Sequence, residues 1–207
     1  METIDLLLPE ISTSGNLATM QLPDIEAYSY WNLYNNRIIS LEGNIDDWDY
    51  NIVKNIITLN MIDKKKPIIL LINSNGGFLD IANAIIGAIE ASEAPVWTVN
   101  MGNALSGGCL VFLAGERRFA TINSWCMAHS GSGDIQGNYA DTKEAQKVWD
   151  SQVKAMYKYI MDRTGIDAKT CNKCKTKDWY LNEEDQLKYN FATEKLESLN
   201  QILNSDG

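Results

Sequence analysis

The apolar positions change period repeatedly along the chain, and each change marks an element. Arg37-Ile38-Ile39-Ser40-Leu41 reads as a short strand closed by Gly43. Asp46 and Asp47 then offer N-caps to a helix in which Ile52, Val53, Ile56, Ile57 and Met61 recur at helical spacing, and Lys64-Lys65-Lys66-Pro67 ends it. Ile68 to Ile72 is a continuous apolar run, the pattern of a strand buried on both faces. A polar turn, Asn73-Ser74-Asn75-Gly76-Gly77, leads into a helix carrying Ile81, Ala84, Ile85, Ala88 and Ile89. Val96 to Val99 is a further strand, followed by a second glycine-bearing turn and a helix from Ser106 to about Ala114. Arg118 to Ala120 and Trp125 to Ala128 read as two short strands, and a long, charged, amphipathic helix runs over about 141–162. Shorter helical pieces are expected around 167–174, 183–189 and 195–203, while residues 1–25 show no sustained period and read as a flexible lead-in.

Strand and helix thus alternate through the first half of the chain. That pattern predicts an α/β fold of repeated right-handed βαβ units, with helices packed on a mainly parallel sheet. In such sheets ligands gather at the carboxyl ends of the strands. Both glycine turns, at 76–77 and 102–108, fall there and are expected to be neighbours in space.

Composition narrows the function. At 207 residues the chain can bury a full core as one domain. A net charge of −9 argues against a surface built for nucleic acid or anionic lipid. No stretch approaches the roughly 18 apolar residues of a membrane span. The first residues, METIDLLLPEISTSG, carry acidic groups where a secretory signal would be basic, so a cytoplasmic location is expected. Cys109 and Cys126 lie in apolar segments and read as reduced core residues. Cys171 and Cys174 form a single C-x-x-C, but no second pair exists and the chain has one histidine, so the spacing reads as incidental. No metal site and no cofactor are expected. The sequence also lacks the Gly-x-x-x-x-Gly-Lys-Ser/Thr phosphate loop, so this chain is not expected to use ATP itself.

The candidate chemistry centres on Ser106. At a helix N-terminus it is either an N-cap or a nucleophile. The surrounding motif departs from Gly-x-Ser-x-Gly, since Ala104 stands at the first glycine position. As a nucleophile it would form an oxyanion against the Gly107 amide, with Gly77 as the second donor from the other glycine turn. A serine needs a base, and the lone histidine, His129, ends a short apolar strand directly before the polar SGSGD loop. Spacing does not choose the group that orients it among Asp134, Asp141, Asp162, Asp167, Asp178 and Asp185. Asp178 stands out because Trp179-Tyr180-Leu181 offers an apolar edge to shield it.

INSNGG at 72–77, GNALSGG at 102–108, WCMAHSGSGDIQG at 125–137 and RTGID…KDWYL between 163 and 181 resemble, in order, the motifs of the Clp protease proteolytic subunit family of self-compartmentalising serine peptidases. The resemblance spans about residues 26–192, with 1–25 as an arm that does not match the family's axial loop and 193–207 as a carboxyl-terminal helix and tail. It implies the crotonase/Clp-protease-like fold, with the long helix at about 141–162 as a protruding handle. It also implies a catalytic triad of Ser106, His129 and Asp178, with oxyanion donors at Gly77 and Gly107. An extended peptide would be gripped between Phe78 and Leu79 on one side and Gly133, Asp134 and Ile135 on the other. The implied assembly is a homo-oligomer, a tetradecamer of two stacked seven-membered rings, working with an AAA+ unfoldase on peptide substrates in the cytoplasm. Departures mark a divergent or phage-type member: Asn75 replaces a proline, Ser130-Gly131 a Gln-Pro, Gly107 a methionine and Asn190 a glycine.

Two other readings share the architecture. One is a catalytically inactive ring or scaffold subunit whose triad is present but unaligned. The other is a crotonase-type acyl-CoA enzyme, which would need glutamates near the glycine turns, where only Glu90 and Glu93 are available.

Overall fold

The structure, a computed structural model, describes residues 25–133 and 135–203. Nearly all of the arm expected over 1–25 lies outside the described residues, as does Asp134.

The apolar run at 68–72 forms the middle of the sheet. Strand β2 (Ile68–Gly77) lies between β1 (Ile38–Ile45) and β3 (Val96–Leu105) and runs parallel to both. Beyond β3 come β4 (Arg117–Ala120) and β7 (Glu194–Lys195), again parallel. The far end of β3 also pairs in parallel with β5 (Trp125–Ala128), whose other edge takes the antiparallel β6 (Trp179–Leu181). The mixed α/β architecture with a mainly parallel sheet is therefore as expected.

Alternation along the strands divides the core. Ile39, Leu41, Ile68, Leu70 and Ile72 turn into the large cluster shared with α2 (Tyr50–Ile62), α3 (Leu79–Glu90) and α4 (Gly107–Ala114). Ile38, Ile69 and Val99 turn the other way, onto Phe119 and Ile202. Helix α2 buries Ile52, Val53, Ile56 and Leu59, each worth about 1.5–3 kcal/mol of transfer free energy. Ile57 and Met61, expected in the core from spacing, are 54% and 80% exposed, and Leu59 takes the inward position instead. The helix is entered through a single 3-10 turn, Asp47–Asp49, capped by Asp46, whose carboxylate accepts from the Trp48 amide.

Other boundaries differ from the sequence pattern. A helix precedes the sheet, α1 (Ile25–Asn35), which buries none of its residues and so gave no periodic signal. Strands β2 and β3 continue through the polar stretches expected to be turns. The long helix is α5 (Tyr139–Thr164), capped by the Asn138 side chain and ended by Gly165 at φ 74°. Short helices α6 (Ala168–Cys171), α7 (Lys173–Thr176) and α8 (Glu183–Lys188) follow as expected. The last expected helix is instead the strand β7 and one turn, α9 (Asn200–Leu203), because the Thr193 and Leu196 amides bond to Arg118 and Ala120 and draw the chain onto the sheet edge.

The four cysteines are free and buried, as core residues should be. Among the described residues no group of three or more His, Cys, Asp or Glu could hold a metal, and no helix is long and apolar enough to cross a membrane.

Candidate active site

The two glycine stretches meet because β2 and β3 both overrun their apolar segments. Gly77, at φ 154°, pairs with Ile45 at the end of β1. A Cβ there would lie 2.2 Å from the Ile45 carbonyl oxygen. Gly76, at φ 86°, would place a Cβ 2.7 Å from the Ser106 Cβ and 2.8 Å from the Gly107 nitrogen. Only glycines let the end of β2 slip between β1 and the start of α4. In the same packing, a Cβ on Gly107 would sit 3.7 Å from the Gly77 nitrogen, so the two amides expected as oxyanion donors are neighbours.

Ser106 sits on a sharp strand-to-helix turn at φ 53°, ψ −120°. Few residues with a Cβ adopt that conformation, and it resembles the strained elbow that exposes a nucleophile. Its amide is tied to the Met127 carbonyl at 2.8 Å, fixing the turn against β5. The N-cap alternative fails on geometry: the Ser106 side chain makes no capping hydrogen bond to α4. Its hydroxyl instead lies 2.7 Å from His129 Nε2.

Strand register brings in the remaining partners. Leu105 pairs with Met127 in the β3–β5 ladder, so the residues just beyond, Ser106 and His129, emerge at the same end. In the antiparallel β5–β6 ladder Ala128 pairs with Trp179, and the next step of that register sets His129 opposite Asp178. His129 Nδ1 is 3.4 Å from Asp178 Oδ1. Of the five candidate aspartates among the described residues, Asp178 is thus the one beside the imidazole. Asp167 caps its own helix, Asp162 pairs with Lys158 and Asp141 with Asn138. One expectation is corrected. The aromatic edge does not shield Asp178, whose side chain is 54% exposed, because Trp179 turns inward onto Tyr189 and Phe191.

A cavity of about 780 Å³ opens over these groups. Gly76, Gly77, Phe78 and Leu79 form one side and His129, Ser130 and Gly131 the other. Gly133 and Ile135 line an adjoining cavity of about 310 Å³. Between the two lies a face of α5 that sequence reasoning missed: Trp149, Gln152, Val153, Met156 and Ile160 all reach the larger cavity. Their spacing is helical and was the available signal. The same helix holds the residue after the histidine. Burial pushes the Tyr157 hydroxyl up from its ordinary pKa, while a hydrogen bond with Ser130 pulls it down. The glutamates that an acyl-CoA reading would need are elsewhere. Glu93 pairs with Lys64, Glu90 with Arg163, and both line a separate cavity with Glu116.

The arrangement can remove a proton from a serine, hold the resulting imidazolium near a carboxylate and offer two amides to an oxyanion. Comparison with known proteins points to a peptidase family. The Clp protease family model matches residues 24–198. The ATP-dependent Clp protease proteolytic subunit 2 of Treponema denticola is 31% identical over 158 residues, covering 75% of this chain and 79% of the relative. The ATP-dependent Clp protease proteolytic subunit of Streptococcus mutans is 29% identical over 174 residues, covering 82% of this chain and 89% of the relative.

Proposed function

The chain belongs to the Clp protease family, and on that ground we propose that it is a serine endopeptidase, cleaving unfolded or threaded polypeptides inside an oligomeric chamber. The observation that carries the proposal is the 2.7 Å contact between the Ser106 hydroxyl and His129 Nε2, made by a serine that forgoes its capping bond. His129 takes the hydroxyl proton as Ser106 Oγ attacks the peptide carbonyl. The Gly77 and Gly107 amides receive the oxyanion, and Asp178 orients the ring and offsets its positive charge. His129 then protonates the leaving amine, and water hydrolyses the acyl-enzyme by the reverse proton route. The substrate lies extended, with Phe78 and Leu79 on one side and Gly133 and Ile135 on the other.

Both relatives are named ATP-dependent, while this sequence has no phosphate loop. The ATP-driven step is therefore assigned to a separate AAA+ unfoldase that threads substrate into two stacked seven-membered rings. The exposed apolar side chains Trp31, Trp48, Met61 and Ile62 suit burial between subunits of such an assembly. The test is labelling by a fluorophosphonate. Wild-type protein should be modified at Ser106, and the His129→Ala variant should not. Equal labelling of the two would overturn the proposed mechanism.

A further inference from the structure

We infer that Trp149 is a positioning residue for peptide binding: its indole is the backing plate that holds residues 131–133 in place as an edge for substrate to pair with. This rests on the peptidase function proposed above and names a part of the site that the triad does not include.

The segment directly after His129 is Ser130-Gly131-Ser132-Gly133, and it has little means of holding its own shape. Gly131 is in the left-handed region at φ 84°, and two glycines within three residues carry a large conformational entropy. Among the described residues, residues 131–133 make no backbone–backbone hydrogen bond. Among the described residues no backbone group pairs with their amides and carbonyls, as an edge that accepts another strand requires. An unpaired, glycine-rich edge would nonetheless lose much of its binding free energy to ordering when a peptide arrives.

Trp149 supplies the missing support. A Cβ built on Gly131 would lie 3.4 Å from Trp149 Cζ2, and one built on Gly133 would lie 3.4 Å from Cη2. The six-membered ring of the indole therefore runs along the same side of positions 131 and 133. Both positions thus meet one flat ring, which can brace the two together. The ring also lines both cavities, the larger one over Ser106 and the smaller one holding Ile135, and so stands as the partition between them. It is carried by the middle of the 26-residue helix α5, whose next turns are anchored by the buried Tyr157 and Ile160. A rigid aromatic on an anchored helix preorganises the edge before substrate binds.

The test compares two probes on the assembled protein. A small alkyl fluorophosphonate reads the triad and oxyanion site alone, whereas an N-acetylated tripeptidyl chloromethyl ketone must also lie along the edge. Trp149→Ala should slow the second-order rate with the ketone about tenfold, the scale of one lost preorganising contact, and change the fluorophosphonate rate by no more than about twofold. Trp149→Phe should restore most of the ketone rate. Trp149→Leu, which keeps apolar volume without the full plane, should fall between them, and it carries the test should the alanine variant not fold. An equal fall with both probes would place Trp149 in support of the triad instead and overturn the inference, as would unchanged rates with both. Wild-type protein inert to both probes would bring down the peptidase function as well, so the two failures are distinguishable.

Discussion

Ser106 bears two burdens, a hydroxyl aimed at His129 and a backbone at φ 53°, ψ −120°, and substitution can separate them. Alanine removes the hydroxyl but retains a Cβ in the strained conformation, with Gly76 still packed against it. Glycine removes both the hydroxyl and the strain. Such a conformation costs a residue with a Cβ about 1–3 kcal/mol. Glycine adds unfolded-state entropy worth roughly 0.5–1 kcal/mol against alanine. The lost hydrogen bond to His129 is common to both variants and cancels. Ser106→Gly should therefore be more stable than Ser106→Ala by about 1 kcal/mol, the difference between the midpoints of those two ranges. For a domain of this size each kcal/mol moves Tm by about 2–4 °C. Parallel thermal and urea unfolding, followed by tryptophan fluorescence, resolves that difference. Both variants must be compared at one protomer concentration, because assembly shifts apparent stability. An alanine variant as stable as the glycine variant would refute the assignment of strain to this turn.

Three further outcomes are expected. Asp178→Asn should lower kcat on peptides roughly a hundredfold with little change in KM, short of the roughly 10⁴ lost when a buried triad acid is replaced, since Asp178 is half-exposed and 3.4 Å away; unchanged turnover would remove Asp178 from the mechanism. Burial pushes the Cys174 thiol up to about 12 and Cys109 well above its ordinary range, so the native state holds these protons longer than the unfolded chain does. Stability from this source is complete below the unfolded thiol pKa, near 9.0, and falls as pH rises toward 12; Cys174→Ala should flatten that alkaline limb in denaturant titrations. Arg118 is buried and donates to the carbonyls of Gly115, Arg163, Asn190 and Phe191, a fan that one ammonium cannot reproduce. Arg118→Lys should therefore cost on the order of 3 kcal/mol in chemical unfolding.

The part of the fold legible in the sequence was the part stabilised by apolar burial. Ile68 to Ile72 reads as a doubly covered strand because it is one. The strand extensions that carry the site were illegible because they are held by polar groups. The Asn73 side-chain oxygen accepts from the Asn103 amide, Ser74 Oγ donates to the Gly43 carbonyl, and Asn100 donates to the Trp125 carbonyl and to Gln186. A polar residue in a strand end signals a turn when read alone, and the bonds that make it a strand come from residues about 25 or more positions away. Spacing alone left Asp178 as one of six candidates for a similar reason. Its place opposite His129 depends on the antiparallel register of β5 and β6, two strands of four and three residues with no periodic signature. Ser106 and His129 were easier to find. One follows an apolar strand and precedes two glycines, and the other is the only imidazole in the chain.

The opening residues of α4 explain why the serine had to forgo its cap. Every residue from Gly107 to Ala114 is buried, so this helix meets no solvent along its length. Its first amides face only the cavity over Ser106 rather than open solvent, as they would on a surface helix. Cys109 and Leu110 return to the Ser106 carbonyl, but among the described residues no backbone carbonyl accepts from Gly107 or Gly108. A capping serine would ordinarily supply an oxygen to this end, and here that oxygen points to His129 instead. The remaining opening is the cavity over Ser106, Gly107 and Gly77. A negatively charged oxygen placed in that cavity would answer both the first amides and the helix dipole. If the function proposed above holds, this helix end favours a charged intermediate over a neutral peptide, which is the differential that catalysis requires.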